Sequence, residues 1–248
     1  NNILGTCQPI EQLAQLTKQV APTAVFHSDC VQGLGKTRMP RAGSAVDLIS
    51  ISAHKIGGPK GIGALIVLNK QLLTKNKIRP LIFGGGQEAG LRSGTVPAPL
   101  IAGFGCALEE TLKNWESEQR HYEDLRNAFR TSLESTGLLT SGDVLWNTPD
   151  LPRAVASIVS LALPKYPSSA FARLLDEEGF LVSTGSACSS RKAEVDVVLE
   201  SIGLPEAAAS SGLRISFGPG NTVEDARALA LAMGTASQRM KKLMGLSK

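Results

Sequence analysis

Ser50-Ile51-Ser52-Ala53-His54-Lys55-Ile56-Gly57-Gly58-Pro59 is the stretch on which the reading of this 248-residue chain turns. The run that leads into it, Val46-Asp47-Leu48-Ile49-Ser50-Ile51, is rich in β-branched and aliphatic residues and reads as a buried strand. That strand delivers Ser52, His54 and Lys55 onto a loop, which then turns sharply through Gly57, Gly58 and Pro59. A lysine held at the end of a buried strand, beside an imidazole and a hydroxyl, loses solvation, and its amine becomes free to attack a carbonyl carbon. The plain alternative is a solvated loop lysine, and a motif this short does not decide between the two.

Two further stretches weigh on that choice. Val25-Phe26-His27-Ser28-Asp29-Cys30-Val31-Gln32-Gly33-Leu34-Gly35-Lys36 is a short apolar run ending in polar groups spaced by three. A carbonyl that suits this set is the aldehyde of pyridoxal phosphate (PLP). A carboxylate facing its pyridine nitrogen keeps the ring protonated and makes it an electron sink. Asp29 is placed to do this, and Gln32 to donate to the phenolic oxygen; the bland reading is a turn cap and a surface amide. The second stretch, Leu181-Val182-Ser183-Thr184-Gly185-Ser186-Ala187-Cys188-Ser189-Ser190, puts a cysteine among small residues. A thiol so placed is predicted to be exposed and mobile, unlike a buried structural cysteine.

Six blocks, in order, resemble the cysteine desulfurases of the class V aminotransferase family, PLP enzymes of fold type I. They are Asn1 through Ile10, His27 through Lys36, Ser52 through Gly61, Gly84-Gly85-Gly86-Gln87-Glu88 through Arg92-Ser93-Gly94-Thr95, the Cys188 loop, and Arg214-Ile215-Ser216-Phe217-Gly218. The resemblance implies an α/β chain: the rear part of a fold type I large domain, mostly parallel sheet with helices, then a small α/β C-terminal domain. Residues 1–104 would be the C-terminal portion of the PLP-binding domain, and residues 105–248 the linking helix and small domain.

It also implies roles. Lys55 would carry the cofactor and later move the proton at the substrate's α-carbon. Asp29 would face the pyridine nitrogen and Gln32 the phenolic oxygen. Ser52 and His54 would hold the phosphate, with Thr95 reaching a partner subunit's phosphate across a homodimer interface. Arg214, assisted by Asn2, would clamp the substrate carboxylate. Cys188 would take sulfur from L-cysteine, leaving L-alanine and an enzyme persulfide that feeds a sulfur-acceptor or scaffold protein for iron–sulfur cluster or thiolation pathways. Arg191 and Lys192 are nearby cations for that thiolate.

The same likeness marks departures. Cys30 stands where the family usually has alanine, Val96-Pro97-Ala98-Pro99 where it often has asparagine, and Pro219-Gly220-Asn221-Thr222 forms a turn-prone link after Gly218. Family members also carry a substantial N-terminal part ahead of the Asn-Asn block, with a glycine-rich phosphate loop and a histidine stacked on the ring. The expectation is therefore a fragment, or one piece of a split enzyme whose partner is a separate N-terminal polypeptide. Two other readings stand beside a desulfurase: another PLP enzyme of the fold (a selenocysteine lyase or aminotransferase), and a non-catalytic subunit. The Cys188 loop argues against the first, and the absent phosphate loop argues for the second.

Composition narrows the classes. An apolar share of 42% supports a real core, and with only 4% aromatics that core must be mainly aliphatic. The net charge of +4 suits an anionic ligand but, without a long basic run, gives no case for nucleic acid. No apolar run is long enough for a membrane span, so the expected location is cytoplasmic, with organellar targeting left open. Cys7, Cys30, Cys106 and Cys188 form no Cys-x-x-Cys pair, so neither a disulfide framework nor a metal site is expected; packing is the predicted role of the first three.

Hydrophobic periodicity predicts helices over residues 10–20, 100–134, 168–178, 192–202 and 223–243, and strands over 24–27, 48–52, 63–68, 154–161 and 213–217. In the long helix, Leu108, Leu112, Trp115, Tyr122, Leu125, Phe129 and Leu133 form a stripe that reads as core.

Overall fold

The computed structural model describes residues 1–75, 77–184 and 195–246. The chain divides into two compact units: residues 8–115 form one, and residues 1–7 with 116–248 form the other.

In the first unit, helix α1 (Ile10–Val20) precedes strands β1 (His27–Asp29), β2 (Leu48–Ser52) and β3 (Gly63–Val67), the short helix α2 (Gln71–Thr74), and the start of the long helix α3 (Ala98–Ser135). The sheet order is β1-β2-β3. β1 runs parallel to β2, pairing Asp29 with Ser50, while β3 returns antiparallel, pairing Gly63 with Ser52. Alternation along β2 sends Ile49 and Ile51 into a core with Ala14, Cys30, Val46, Ala53 and Phe104, so Leu48, Ser50 and Ser52 take the opposite face. Asp47, just before β2, is buried and accepts from Lys18 of α1, the Phe26 amide and Asn69. Burial pushes its carboxyl up, but these donors outweigh burial and hold it below the ordinary value. The strand therefore starts from a fixed point on α1.

The second unit takes the rest of α3, then β4 (Leu145–Trp146), β5 (Ile158–Ala162), α4 (Ser168–Glu177), β6 (Ser183–Thr184), α5 (Val197–Ser201), α6 (Glu206–Ala209), β7 (Gly212–Ser216) and α7 (Val223–Leu243). Its sheet, in the order β4-β5-β7-β6, is antiparallel at each pairing. Every residue of β5 is buried. Leu125, Phe129 and Leu133 of α3, Val159, Leu161 and Leu213 of the sheet, and Phe171, Leu175, Ala230 and Met233 of α4 and α7 form one core. The turn-prone link before α7 has a clear purpose: Thr222 Oγ1 accepts from the Asp225 amide at 3.1 Å while Asp225 Oδ2 accepts from the Thr222 amide at 2.8 Å, a reciprocal helix cap.

Several expectations shift. The first strand is His27–Asp29 rather than 24–27, because the Phe26 amide donates to the Asp47 side chain instead of to a strand carbonyl. Residues 154–157 precede β5, since Ala154 and Val155 pair with Thr6 and Gly5 of the N-terminal segment. Leu112 is 63% exposed, so the α3 stripe is interrupted: Phe104 belongs to one core, Tyr122 through Leu133 to the other, and Leu112 to neither. Cys30 is buried as packing requires, and burial pushes its thiol up; Cys106 is instead exposed on α3. Among the described residues, no helix is long and apolar enough to cross a membrane.

Candidate active site

β1 and β2 run side by side in the same direction, and their C-terminal ends carry the first set of polar groups. In open α/β sheets this is where ligands bind. Asp29 is the last residue of β1, its carboxylate exposed and its Oδ1 accepting from the Val31 amide at 2.9 Å. Gln32 follows on the turn. Its Oε1 accepts from Lys36 Nζ at 2.9 Å, which leaves the amide nitrogen as the donor end.

Ser52 closes β2, and the next three residues form a single 3₁₀ turn, Ala53–Lys55, with Ala53 buried as its anchor. This turn swings His54 and Lys55 past the end of the strand. Ser52 Oγ and His54 Nδ1 are 2.7 Å apart, so hydroxyl and imidazole act as one unit. Gly57, at φ 81°, then allows the tight exit that a side chain would strain. Two residues before Asp29 on β1 and before Ser52 on β2, His27 Nε2 and Ser50 Oγ are 2.8 Å apart on the same face as Asp29. The sequence reading gave this pair no role.

Lys55 lies exposed at the strand end rather than desolvated. The reason is that the core packs on the Ile49 and Ile51 side, while the face of Asp29, Ser50 and Ser52 has no comparable apolar cover among the described residues. Thr95 is exposed too, beside Gly94, whose amide donates to Gln87 Oε1 at 3.0 Å.

The second set belongs to the other unit. Arg214 lies on β7, half-buried. Its Nη1 donates to the backbone oxygen of Asn2 at 3.0 Å and its Nη2 to Ser183 Oγ at 3.1 Å. Arg214 therefore meets Asn2 through the Asn2 main chain. Asn1 shapes that chain: its side-chain oxygen accepts from the Ile3 and Leu4 amides at 2.8 and 2.9 Å, and Leu4 is buried. Cys188, Arg191 and Lys192 lie outside the described residues.

Comparison with known proteins places this arrangement. The model of the class-V aminotransferase family matches residues 1–229, and the chain belongs to that family. It is 37% identical over 226 residues to "Cysteine desulfurase IscS" of Clostridium botulinum (strain Kyoto / Type A2), covering 91% of this chain and 54% of the relative. It is 32% identical over 250 residues to "Cysteine desulfurase, mitosomal" of Encephalitozoon cuniculi, with 99% and 54% covered. Among solved structures, a "NifS-like protein" superposes with a TM-score of 0.83 at 31% identity, covering 96% of this chain and 59% of that one. A NifS-like protein from Rickettsia africae gives 0.77 at 32%, covering 96% and 60%. The α/β fold expected from the sequence is therefore that of the NifS-like proteins. The chain spans about half the length of the curated relatives it matches.

Proposed function

We propose that this chain forms the lysine- and cysteine-bearing portion of a PLP-dependent cysteine desulfurase. The observation that carries the reading is the delivery of Ser52, His54 and Lys55 to the end of β2 beside Asp29 at the end of its parallel neighbour. The donor set suits the cofactor. An exposed carboxylate fits a protonated ring nitrogen, a carboxamide with its nitrogen end open fits a phenolic oxygen, and a hydroxyl–imidazole pair fits a phosphate. Residues 1–104 are then the cofactor-binding portion, and residues 105–248 the linking helix and small domain.

When bound, PLP supplies delocalisation for the electron pair released at the substrate's α-carbon. Lys55 Nζ is the group that would hold the cofactor through its carbonyl carbon, and its amine would take the α-proton of the substrate. Asp29 keeps the ring nitrogen protonated. Arg214 receives the carboxylate of L-cysteine, whose planar form matches the guanidinium fork. The Cys188 thiolate attacks the substrate's sulfur; the carbon–sulfur bond breaks, a sulfur–sulfur bond forms, and protonation of the carbon skeleton yields L-alanine. The persulfide then passes to a sulfur-acceptor or scaffold protein in the cytoplasm.

We further propose that the polar face of β1 and β2 is covered in the working enzyme by the remaining family length, carried on a longer chain or on a separate N-terminal polypeptide, and that the enzyme is a homodimer with Thr95 at its interface. Supporting this, β3 is exposed over four of its five residues, Leu65 and Ile66 among them. The named relatives do not favour a selenocysteine lyase or an aminotransferase.

Absorption spectra with added PLP, alone and with the N-terminal half of a family member supplied in trans, test the reading. A visible band lost in Lys55→Ala, and alanine release from L-cysteine lost in Cys188→Ser, are expected. A band of equal strength in Lys55→Ala would overturn the assignment of the lysine.

A further inference from the structure

We propose that Ser183 is a positioning residue for Arg214, setting the guanidinium for the substrate carboxylate from the strand that leads to Cys188. The inference rests on the desulfurase reading only for the identity of that carboxylate.

Ser183 and Arg214 are directly opposite in the antiparallel β6–β7 pairing. Opposed residues share a face, with Cβ atoms about 4.5–5.5 Å apart, close enough for a short hydroxyl to meet the end of a folded-back arginine. The bond observed is Arg214 Nη2 to Ser183 Oγ at 3.1 Å, while Nη1 reaches the Asn2 carbonyl at 3.0 Å. Two different nitrogens are thereby tethered, which fixes both the direction of the side chain and the rotation of its plane. A ligand carboxylate then meets a fork already ordered, and binding costs less side-chain entropy.

The acceptors are also chemically apt, since both are neutral. Arg130 and Arg239 of the same unit bond to carboxylates of Asp150 and Glu177. Among the described residues, by contrast, Arg214 forms no ion pair. A hydroxyl and a carbonyl hold the guanidinium without neutralising it, so its charge stays available to an anion. A carboxylate in the place of Ser183 would compete with the substrate.

Among the described residues β6 comprises Ser183 and Thr184, and in the sequence Cys188 follows five positions after Ser183.

The test compares Ser183→Ala and Ser183→Thr with the parent. The first readout needs neither cofactor nor turnover: rotation of the Arg214 guanidinium in the intact chain, followed by nitrogen-15 exchange spectroscopy and assigned with Arg214→Lys. Rotation should be faster in Ser183→Ala and slowed again in Ser183→Thr; unchanged rotation would overturn the proposal. The second readout uses the PLP-loaded, complete enzyme with L-cysteine. KM should rise about three- to tenfold in Ser183→Ala, as for one lost hydrogen bond, with kcat within about twofold and KM recovered in Ser183→Thr. Faster rotation with an unchanged KM would overturn the substrate-positioning role, as would an equal loss in kcat. If the parent releases no alanine, the desulfurase reading fails, and the rotation measurement still decides whether Ser183 holds Arg214.

Discussion

Arg214 and Asn2 lie 212 positions apart in the chain, yet Arg214 Nη1 donates to the Asn2 main-chain oxygen at 3.0 Å. The bond ties the first residues of the chain to the arginine proposed to bind the substrate carboxylate. Nearby, Val155 donates to the Gly5 carbonyl and Cys7 to that of Arg153, each at 2.8 Å. Arg214→Lys keeps the charge but offers a single point where a fork bridged two acceptors. Steady-state kinetics of the complete enzyme should give a KM for L-cysteine raised on the order of 10- to 100-fold, the scale of a hydrogen bond to a charged group.

Gly63 stands opposite Ser52 in the β2–β3 register. A Cβ there would come within 2.6 Å of the Ile51 carbonyl oxygen, a backbone atom with little freedom to move. Gly63→Ala should destabilise the chain by about 1–3 kcal/mol in urea unfolding, as overpacking does. It should also weaken PLP binding, because β2 ends in Ser52 and leads directly into the turn that bears Lys55.

Asp143 is buried with Lys165 Nζ at 2.7 Å from Oδ1 and Lys241 Nζ at 2.6 Å from Oδ2, joining the turn after α3 to the end of α7. Burial pushes its carboxyl up, but the two ammonium groups and the Ser141 hydroxyl outweigh burial and hold it at about 2. Since the folded value lies below the unfolded one, the stabilisation is fully present above about pH 4. It is lost as pH falls through about 2. Asp143→Asn should cost about 1–3 kcal/mol at neutral pH. Thermal unfolding of this variant should also depend less on pH between those limits than unfolding of the parent.

Thr222 caps α7 through the Asp225 amide. Thr222→Ala should lower stability by about 1 kcal/mol, and Thr222→Ser should restore most of it, as measured by denaturant midpoints.

Local grammar carried much of the fold. α1 and α7 fall on the residues that periodicity and punctuation predict, Ile10–Val20 and Val223–Leu243. In both, the helical face repeats over three turns or more and a breaker or cap follows. β2 was legible for a similar reason, since its aliphatic run ends in Gly and Pro. Where neighbours compete for the backbone, pattern alone misled: β1 begins at His27 because Asp47 captures the Phe26 amide, and β5 begins at Ile158 because the N-terminal segment engages residues 154 and 155. Leu112 fits the α3 stripe, yet it is exposed because burial depends on which sheet a helical turn meets.

The sequence by itself determined the family and the candidate chemistry, since Asp29, Gln32, Ser52, His54 and Lys55 sit in short contiguous motifs whose spacing follows from one strand end or one turn. Only the tertiary structure decided how the guanidinium of Arg214 is held. Its two acceptors come from positions 2 and 183, brought to it by a β-bridge near the start of the chain and by a two-residue strand. No local period encodes such a meeting, because hydrogen bonds across the chain are fixed by register and packing rather than by the neighbours of any one residue.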